Sequence, residues 1–272
     1  MRRRTYRPAH RATTRPDRCV RAGPWRIELL PPSGYEATYT AETPIIGFAF
    51  DSQVGVHAFA SDRRLPYRAR PNGLAYVPMG CDVYSQSALG GEYLKLALTG
   101  PATTRWTRNH RFSDAIDPVA IDAAHRLRRR LLADDSAEPH DLEPLVQVLT
   151  DRVRAVIRGP GRTPKAATSM TPQRLRRIDE LIEARLDATL TVQDLADELG
   201  LSSGFFSRAF KAAVGKAPHD HIIDRRLARA RRLLRSDAAD LAAIALACGF
   251  SSHAHLSAVC RRRLGIPPSQ LR

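Results

Sequence analysis

Two similar stretches of the sequence each contain a glycine that is followed, within about eight residues, by serine and by arginine or histidine. In residues 190–211, Gly200 is followed by a pair of serines and then by Arg208. In residues 244–261, Gly249 is followed by another pair of serines and by two histidines. Hydroxyl, guanidinium and imidazole groups form hydrogen bonds, so the chemistry they suggest is recognition of the polar edges of another molecule.

The first of these stretches predicts two short helices joined by a tight turn. Leu195 and Leu199 share one helical face, and Thr191 with Asp194 matches the Thr-x-x-acid pattern that caps a helix start. Gly200 suits the left-handed conformation in which many helices end. Two helices this close, with a glycine between them, are typical of the helix-turn-helix motif, whose second helix enters the major groove of DNA.

The second stretch repeats the first. Gly249 corresponds to Gly200, and the serine pair that follows Gly249 corresponds to the pair at residues 202–203. One extra residue then enters the second copy, after which Gly265 answers to Gly215. Many helical hairpins resemble a single helix-turn-helix, so the repetition is the decisive observation.

One long helix is predicted over residues 218–235, between the two copies, because its apolar residues recur at helical spacing. Its remaining face is rich in arginine. Those side chains form either a solvated surface or a set of phosphate contacts: Arg225, Arg229 and Arg232.

The net charge of the 272-residue chain is +15, and it is unevenly distributed. Residues 1–24 carry +7, residues 25–171 only +2, and residues 172–272 carry +6. Such a balance predicts a polyanionic partner. The four cysteines include no Cys-x-x-Cys pair, which argues against a zinc site or a disulfide framework and fits a reducing, cytosolic compartment. No apolar run approaches the length that spans a bilayer.

Changes in composition divide the chain into four segments. Residues 1–24 read as a disordered basic tail, or alternatively as a basic arm that adds affinity for DNA. Residues 25–158 contain short strands and then a helical hairpin, and residues 159–170 form a linker. Residues 171–272 form an all-helical domain.

The strand-rich segment, residues 25–100, predicts a small sandwich or barrel that could enclose one small ligand. A metal centre would need clustered histidine and carboxylate ligands, but His57 is the only histidine within the candidate strands. We therefore predict neither a metal site nor catalytic residues there. The helical hairpin, residues 114–158, either packs on the strands or presents a face for homodimer formation.

The residues of the two helix-turn-helix copies also carry a resemblance to a known family. The C-terminal segment resembles the DNA-binding domain of the AraC/XylS family of bacterial transcription regulators, over more than a third of the chain. The matching stretches are Asp194-Leu195-Ala196, Gly200-x-Ser202, Phe206-Ser207-Arg208-x-Phe210-Lys211, Gly215-x-x-Pro218, Arg226-Leu227-x-x-Ala230-x-x-Leu233-Leu234, Ile244-Ala245, Gly249-Phe250-Ser251-Ser252 and Gly265-Ile266-Pro267-Pro268-Ser269.

The sequence departs from the family pattern at several positions, most of them in the core or at helix ends. His221 stands where the family usually has Tyr, and Ala258 replaces a common Arg. The other departures replace family aromatics: Leu256, Cys260 and Leu271. The N-terminal segment resembles the family's cupin-like sensor domain more loosely, through its architecture and through residues 74–80.

The resemblance implies an α+β chain. Its N-terminal part would be a small cupin-like β-barrel with a helical hairpin. Its C-terminal domain would be all-α, with two helix-turn-helix motifs joined by a long helix. Two such motifs on one scaffold can enter successive major grooves roughly 34 Å apart, one turn of the duplex.

The resemblance also implies which side chains meet DNA. Arg208 is the strongest candidate because an arginine can bond guanine O6 and N7 together, and a phosphate contact is the alternative for this residue. The expected base contacts are Gly204, Ser207, Arg208, Ser252, His253, Ala254, His255 and Ser257. The expected phosphate contacts are Lys211, Arg261 and Arg262, together with the backbone N–H groups at two helix starts, Val192 and Leu241.

The function implied is that of a transcription factor in the bacterial cytoplasm, associated with the nucleoid, that answers to a small-molecule effector. Its partners would be double-stranded DNA, the effector and, for an activator, RNA polymerase, with no cofactor and no membrane. The effector-binding residues and the choice between activator and repressor stay open. The alternatives are a cupin-type enzyme with a DNA-targeting helical domain and a recombinase-type enzyme, whose nucleophile we cannot assemble from residues 25–171.

Overall fold

A computed structural model describes residues 17–100, 106, 110–133, 138–159, 165–236 and 240–271. The chain forms two compact units, each with its own core. The β unit comprises residues up to 115 together with residues 138–153, and the helical unit comprises residues 116–137 and 154–272. The prediction of a β-rich N-terminal part and a helical C-terminal part is confirmed.

The described strands form two antiparallel sheets and do not close into one continuous barrel wall. The larger sheet has the order β1-β2-β9-β4-β7-β10, and the smaller has the order β3-β8-β5-β6. The strands are β1 (Arg18–Ala22), β2 (Trp25–Leu30), β3 (Tyr35–Thr40), β4 (Ile45–Ala49), β5 (Gln53–Phe59), β6 (Leu65–Ala69), β7 (Gly73–Val77), β8 (Asp82–Ser87), β9 (Tyr93–Leu98) and β10 (Phe112–Ala115).

The larger sheet supplies most of the apolar core of the β unit. Along β9, Leu94, Leu96 and Leu98 are buried at every second position, as expected for a strand with one face on the core. In the central strand β4 every residue is buried. A side chain at Gly47 would lie 1.7 Å from the hydroxyl oxygen of Tyr93, so glycine is required there.

One predicted boundary is wrong at the N-terminal end. Residues 18–22, assigned to the disordered tail, form β1 and pair with β2 in register from Arg18 opposite Leu29 to Ala22 opposite Trp25. The pairing buries Ala22 and satisfies backbone groups along the edge of the larger sheet. Residues 1–16 of the predicted tail lie outside the described residues.

The helical unit contains most of the helices. Its elements are α1 (Pro118–Ala133), α3 (Lys165–Thr168), α4 (Pro172–Ala184), α5 (Val192–Asp197), α6 (Ser203–Val214), α7 (Pro218–Ser236), α8 (Leu241–Ala247), α9 (His253–Leu264) and a short 3-10 helix (Pro268–Leu271). Helix α2 (Pro139–Arg158) belongs to the β unit up to residue 153. No helix in the described parts of the chain is both long enough and apolar enough to cross a bilayer.

The predicted linker is shorter than residues 159–170, because its end joins the core of the helical unit. Residues 165–168 form α3, which packs against α6. Met170 is 4% exposed within the same apolar cluster as Ile178, Phe206 and Phe210. Apolar burial of this kind holds a segment in place where composition alone suggested a flexible connection. Residues 160–164 lie outside the described residues.

Helix α1 also departs from its predicted place. The sequence predicts that α1 forms a hairpin with α2 in the N-terminal domain, yet α1 packs against α9 within the helical unit. Most of its apolar side chains, including Ala124 and Leu127, are buried. The periodic pattern that predicts the helix identifies its buried face but not the surface that covers it.

Helix α7 holds the helical unit together, and one arginine makes its central contact. Arg226 donates from Nε to the carbonyl oxygen of Leu186 (2.9 Å) and from Nη2 to that of Ala188 (2.7 Å), in the segment between α4 and α5. The same guanidinium lies against Gly249, where a Cβ would come within 2.7 Å of Arg226 Nε and 2.1 Å of the Leu186 carbonyl oxygen. Arg226 thus joins the segment that leads into the first motif, α7 and the turn of the second motif.

We predict that alanine is tolerated very differently at the two equivalent turn glycines. Both have left-handed backbones, with φ of 64° at Gly200 and 78° at Gly249. Nothing lies within 4 Å of a Cβ at Gly200, so Gly200→Ala should cost only the backbone strain, roughly 1–2 kcal/mol. Gly249→Ala should cost at least about 2 kcal/mol more, because the Leu186 carbonyl must move.

Urea unfolding followed by circular dichroism at 222 nm measures the difference, and each variant serves as the other's control. Equal destabilisation by the two alanines would contradict the close packing at Gly249.

His125 of α1 should make the helical unit sensitive to acid. Its Nδ1 lies 3.2 Å from Arg128 Nη2. Burial, and then the nearby cations Arg128, Lys216, Arg263 and Arg129, hold the pKa of His125 well below its usual value. The unfolded chain therefore takes up a proton below about pH 6.5 that the folded chain refuses, and stability should fall as the pH drops below that value.

The variant His125→Asn keeps an acceptor for Arg128 and does not titrate, so its unfolding midpoint in urea should fall less between pH 7 and pH 5. His140→Asn, at an exposed position of α2, is the control and should keep the full dependence. An unchanged pH dependence in His125→Asn would show that other groups cause it.

Candidate nucleic-acid interface

The first helix of the first motif begins with the predicted cap. The Thr191 hydroxyl accepts from the N–H of Asp194 (3.1 Å), and the Asp194 carboxylate accepts from the N–H of Thr191 (2.7 Å). These two hydrogen bonds form a capping box. The bonds to Thr191 hold the pKa of Asp194 below its usual range. The start of α5, at Val192, is thereby fixed.

The second helix of the first motif is held by polar contacts to α5. Ser202 caps α6 by accepting from the N–H of Phe205 (3.4 Å), and the Ser203 hydroxyl donates to Gln193 Oε1 of α5. Gln193 in turn donates to Asp197 (2.6 Å). Buried Phe206 and the apolar residues that follow it attach α6 to the core, so the helix presents one fixed face to the outside.

The second motif follows the same plan with a longer turn. Asp240 occupies the N-cap position of α8, although its side chain makes no capping hydrogen bond there. Ser252 caps α9 by accepting from the N–H of His255 (3.1 Å). Because Ser202 is the equivalent cap in the first motif, the extra residue of the second copy lies between Gly249 and Ser252.

The predicted position of that residue, after the serine pair, is wrong, and Ser202 corresponds to Ser252 and not to Ser251. With the caps aligned, Ala254 is the counterpart of Gly204, and Ala258 is the counterpart of Arg208. The two recognition helices therefore offer different chemistry at matching positions.

The predicted base-contact residues share the outward faces of α6 and α9. On α6, Gly204 and Arg208 are exposed and Ser207 is half-buried. On α9 and its cap, Ser257 is half-buried and the rest are exposed: Ser252, His253, Ala254 and His255. The opposite faces are buried.

Local contacts orient two of these side chains. A Cβ at Gly204 would lie 3.7 Å from Arg208 Nη1, so the guanidinium lies back along the helix over the glycine. His255 Nδ1 lies 3.1 Å from the Ser251 hydroxyl, and its ring meets the Phe250 ring edge-on at 5.4 Å.

The predicted phosphate-contact residues lie beside those faces. Lys211, Arg261 and Arg262 are exposed. Arg263, next along the chain, is different, because it forms ion pairs with Asp220 and Asp224 of α7. Val192 and Leu241 are the first residues of α5 and α8, the helix starts expected to offer N–H groups.

The C-terminal part of the chain is similar to known DNA-binding regulators. Residues 195–272 match the family described as a helix-turn-helix domain. The HTH-type transcriptional regulator ArgR of Pseudomonas aeruginosa is 33% identical over 90 residues, 33% of this chain and 27% of that protein. A Streptomyces lividans protein described as an AraC-like transcription regulator is 40% identical over 82 residues, 30% of this chain and 27% of that protein.

Residues 195–272 therefore form a helix-turn-helix domain of the AraC type. The chain spans about a quarter of the length of these two relatives, and both are described as regulators of transcription. A crystal structure of a regulator with an AraC-type DNA-binding domain, from Chromobacterium violaceum, shares 35% identity with the chain. That match covers 37% of this chain and 89% of the other, with a TM-score of 0.35.

One exposed residue on the recognition helix of this AraC-type domain is absent from our predicted site. Phe205 is 37% exposed and stands between Gly204 and buried Phe206. Helical periodicity predicts this exposure. Phe206, Ala209 and Phe210 share the buried face of the helix, so the adjacent Phe205 must lie on a different face. An outward phenyl ring at this place suits apolar contact with a thymine methyl group.

The β unit offers a second group of polar side chains, on the smaller sheet. The Tyr35 hydroxyl lies 2.5 Å from that of Tyr67 and 3.1 Å from that of Ser85, and it donates to Gln53 Oε1 (3.2 Å). Burial raises the pKa of Tyr67, so the group stays neutral. His57 stacks on the Tyr67 ring at 4.7 Å, and within the described residues no three His, Cys, Asp or Glu side chains are placed to share a metal ion.

Gly204→Ala should move stability and DNA binding in opposite directions. Gly204 is the second residue of α6, where alanine is favoured over glycine by less than the roughly 1 kcal/mol of a helix interior, and a Cβ there has only an ordinary contact with Arg208. The added methyl group would at the same time hold the helix away from a groove. We expect a higher unfolding midpoint and weaker binding, by fluorescence anisotropy, to duplexes selected by the wild-type chain. Unchanged binding would remove Gly204 from the interface.

Proposed function

We propose that this chain is a transcription regulator that reads duplex DNA with α6 and α9 in successive major grooves. The observation that carries the proposal is the repeated pattern of capped recognition helices with polar outward faces, both attached to α7. Grooves on one side of a duplex repeat every 34 Å or so, which two helices on one unit can match without bending the chain.

The exposed side chains of α6 and α9 divide into two roles in this proposal. Arg208 reads a guanine, since its guanidinium can bond O6 and N7 together, and Ser207 and Gly204 allow the helix to approach the bases. On α9, Ser252, His253, Ala254, His255 and Ser257 face the second groove. Lys211, Arg261 and Arg262 neutralise phosphates, as do the helix starts at Val192 and Leu241.

The β unit would act as the sensor in this scheme, with a cupin-like role despite its two separate sheets. The hydroxyl cluster of Tyr35, Tyr67 and Ser85 supports binding of a small effector, because half-buried phenol and alcohol groups can exchange their mutual hydrogen bonds for bonds to a ligand. The further partners we propose are RNA polymerase, for an activator, and a second copy of the chain. The site of action would be the bacterial cytoplasm, at the nucleoid.

Selection of bound DNA from a random pool tests the proposal directly. The full chain should enrich sequences that contain two short conserved blocks whose centres lie about 10–10.5 base pairs apart. Enrichment of a single block would show that only one helix reads bases. Absence of any enrichment, in a chain shown to be folded, would contradict sequence-specific reading.

Arg208→Ala should cost about 1–3 kcal/mol of binding free energy and relax the preference at one base pair. The loss follows from removal of a bidentate contact that only guanine can complete. A repeat of the selection with the variant, together with anisotropy titrations on duplexes changed at single positions, measures both effects.

Arg261→Ala is the contrasting variant, since the same charge is removed from a proposed phosphate contact on α9. It should weaken binding to all sequences alike and lower the slope of log affinity against log salt by about one. Uniform weakening by Arg208→Ala as well would reassign Arg208 to the backbone.

A further inference from the structure

Helix α1 contacts the C-terminal ends of both recognition helices, although it precedes them in the chain by more than 60 residues. We propose that α1 is a brace that fixes the position of α6 relative to α9. The inference rests on the proposed function, because a fixed separation matters only if both helices read one duplex.

The first contact is at the end of α6. Gly215 ends this helix in a left-handed conformation, with φ of 77°. A Cβ at Gly215 would lie 2.3 Å from Ile121 Cδ1 and 3.1 Å from Ile116 Cγ2. The side chain of Ile121 therefore occupies the space that the glycine leaves open, and α1 lies directly against the end of the first recognition helix.

The second contact is at the end of α9, at the matching glycine. A Cβ at Gly265 would lie 3.2 Å from Ala133 Cβ and 3.5 Å from the carbonyl oxygen of Arg129. Buried Arg128 donates from Nη2 to the carbonyl oxygen of Arg263 (3.3 Å), in the last turn of α9. A guanidinium at this position also complements the negative end of the helix dipole.

The two contacts are far apart on a single rigid element. Ile121 and Ala133 are twelve residues apart in one helix, which corresponds to roughly 18 Å at 1.5 Å per residue. A continuous helix of this length keeps its two ends at a set distance. It can therefore hold the ends of α6 and α9 apart by a fixed amount, which a flexible loop cannot do.

An ionic network also joins the same two helix ends to α7. Lys216, just beyond α6, pairs with Asp224 of α7. Arg263 of α9 pairs with Asp220 and lies 3.7 Å from Asp224. Both recognition helices are thus tied to one turn of α7, and Arg128 of α1 contacts this network through the Arg263 carbonyl.

The bound α1 leaves the DNA-reading surfaces uncovered. The contacts of α1 lie at the C-terminal ends of α6 and α9, whereas Gly204, Arg208 and His253 lie toward their N-terminal ends and are exposed. Such an arrangement suits a brace that acts while the protein is on DNA, and it does not suit a segment that blocks the groove-facing surface.

The test compares two duplexes in the full-length chain: the two-block sequence selected by the wild type, and the same sequence with one block randomised. The variants are Ile121→Ala, Arg128→Met and the milder Ile121→Val. Matched controls on the same helix are Val119→Ala and Arg130→Met, both at exposed positions. Melting temperatures establish that each variant is folded.

We expect Ile121→Ala and Arg128→Met to weaken binding to the two-block duplex by about tenfold or more, because a loosened second helix contributes less effective concentration. Binding to the one-block duplex should stay within about twofold of wild type. Insertion of three base pairs between the blocks should weaken the binding of these variants less than it weakens the binding of the wild type. Ile121→Val should show a smaller effect in the same direction, and the controls should match the wild type.

Equal weakening on both duplexes would overturn the brace, since it would mean that α1 only supports the fold. Unchanged binding of folded variants to the two-block duplex would overturn it as well. If the wild type itself binds no duplex, the proposed function fails and the brace has nothing to position, so the two failures are distinguishable.

Discussion

The guanidinium of Arg226 is the contact on which the arrangement of the helical unit depends. It donates to two backbone carbonyls between α4 and α5, and it lies against the glycine turn of the second motif. A backbone carbonyl in a connecting segment needs a partner when it is covered, and Arg226 supplies two such bonds from one planar group. Burial lowers the pKa of Arg226, but the group stays charged at any physiological pH. Both motifs therefore share α7 as a common support.

Much of the helical unit could be predicted because its signals are local. A capping box, a helix-ending glycine and a periodic apolar stripe each act within a few residues, and the capping box at Thr191 and the left-handed glycine at Gly200 are found where those patterns place them. The repeat between the two copies reinforced the pattern. The sequence does not indicate that the extra residue lies before Ser252. Two adjacent serines can each serve as a cap, and only the backbone decides between them.

The features that could not be predicted depend on long-range packing. Strand β1 lacks a distinctive alternation of its own and forms because β2 offers it an edge. Met170 is buried because α4 and α6 leave a space for it, and α1 lies on the helical unit because Gly215 and Gly265 leave room for Ile121 and Ala133. Composition and periodicity say that a residue prefers burial, but they do not say against which partner.

Departures from the family pattern fall mainly inside the protein. His221 is 2% exposed, meets the Phe210 ring edge-on and lies 3.4 Å from Asp179. Leu256 and Cys260 are fully buried in the core of the second motif, and burial raises the pKa of the Cys260 thiol to about 12, so it remains uncharged and behaves as a small apolar side chain. These substitutions change how the helical unit is packed more than what it presents outward.

The basic side chains of residues 172–272 fall into two groups, those that form contacts within the helical unit and those that are exposed. In the first group, Lys216, Arg225 and Arg263 pair with acids on neighbouring helices and Arg226 binds carbonyls. The exposed remainder on the recognition helices includes Arg208, Lys211, Arg261 and Arg262. Among these, Arg208 is the residue that we propose to contact a guanine, and its counterpart on α9 is Ala258. In the proposed function the two helices would therefore not be equivalent readers: α6 carries the strongest single donor, whereas α9 presents two imidazoles, whose weaker and tautomer-dependent hydrogen bonds suit a supporting role.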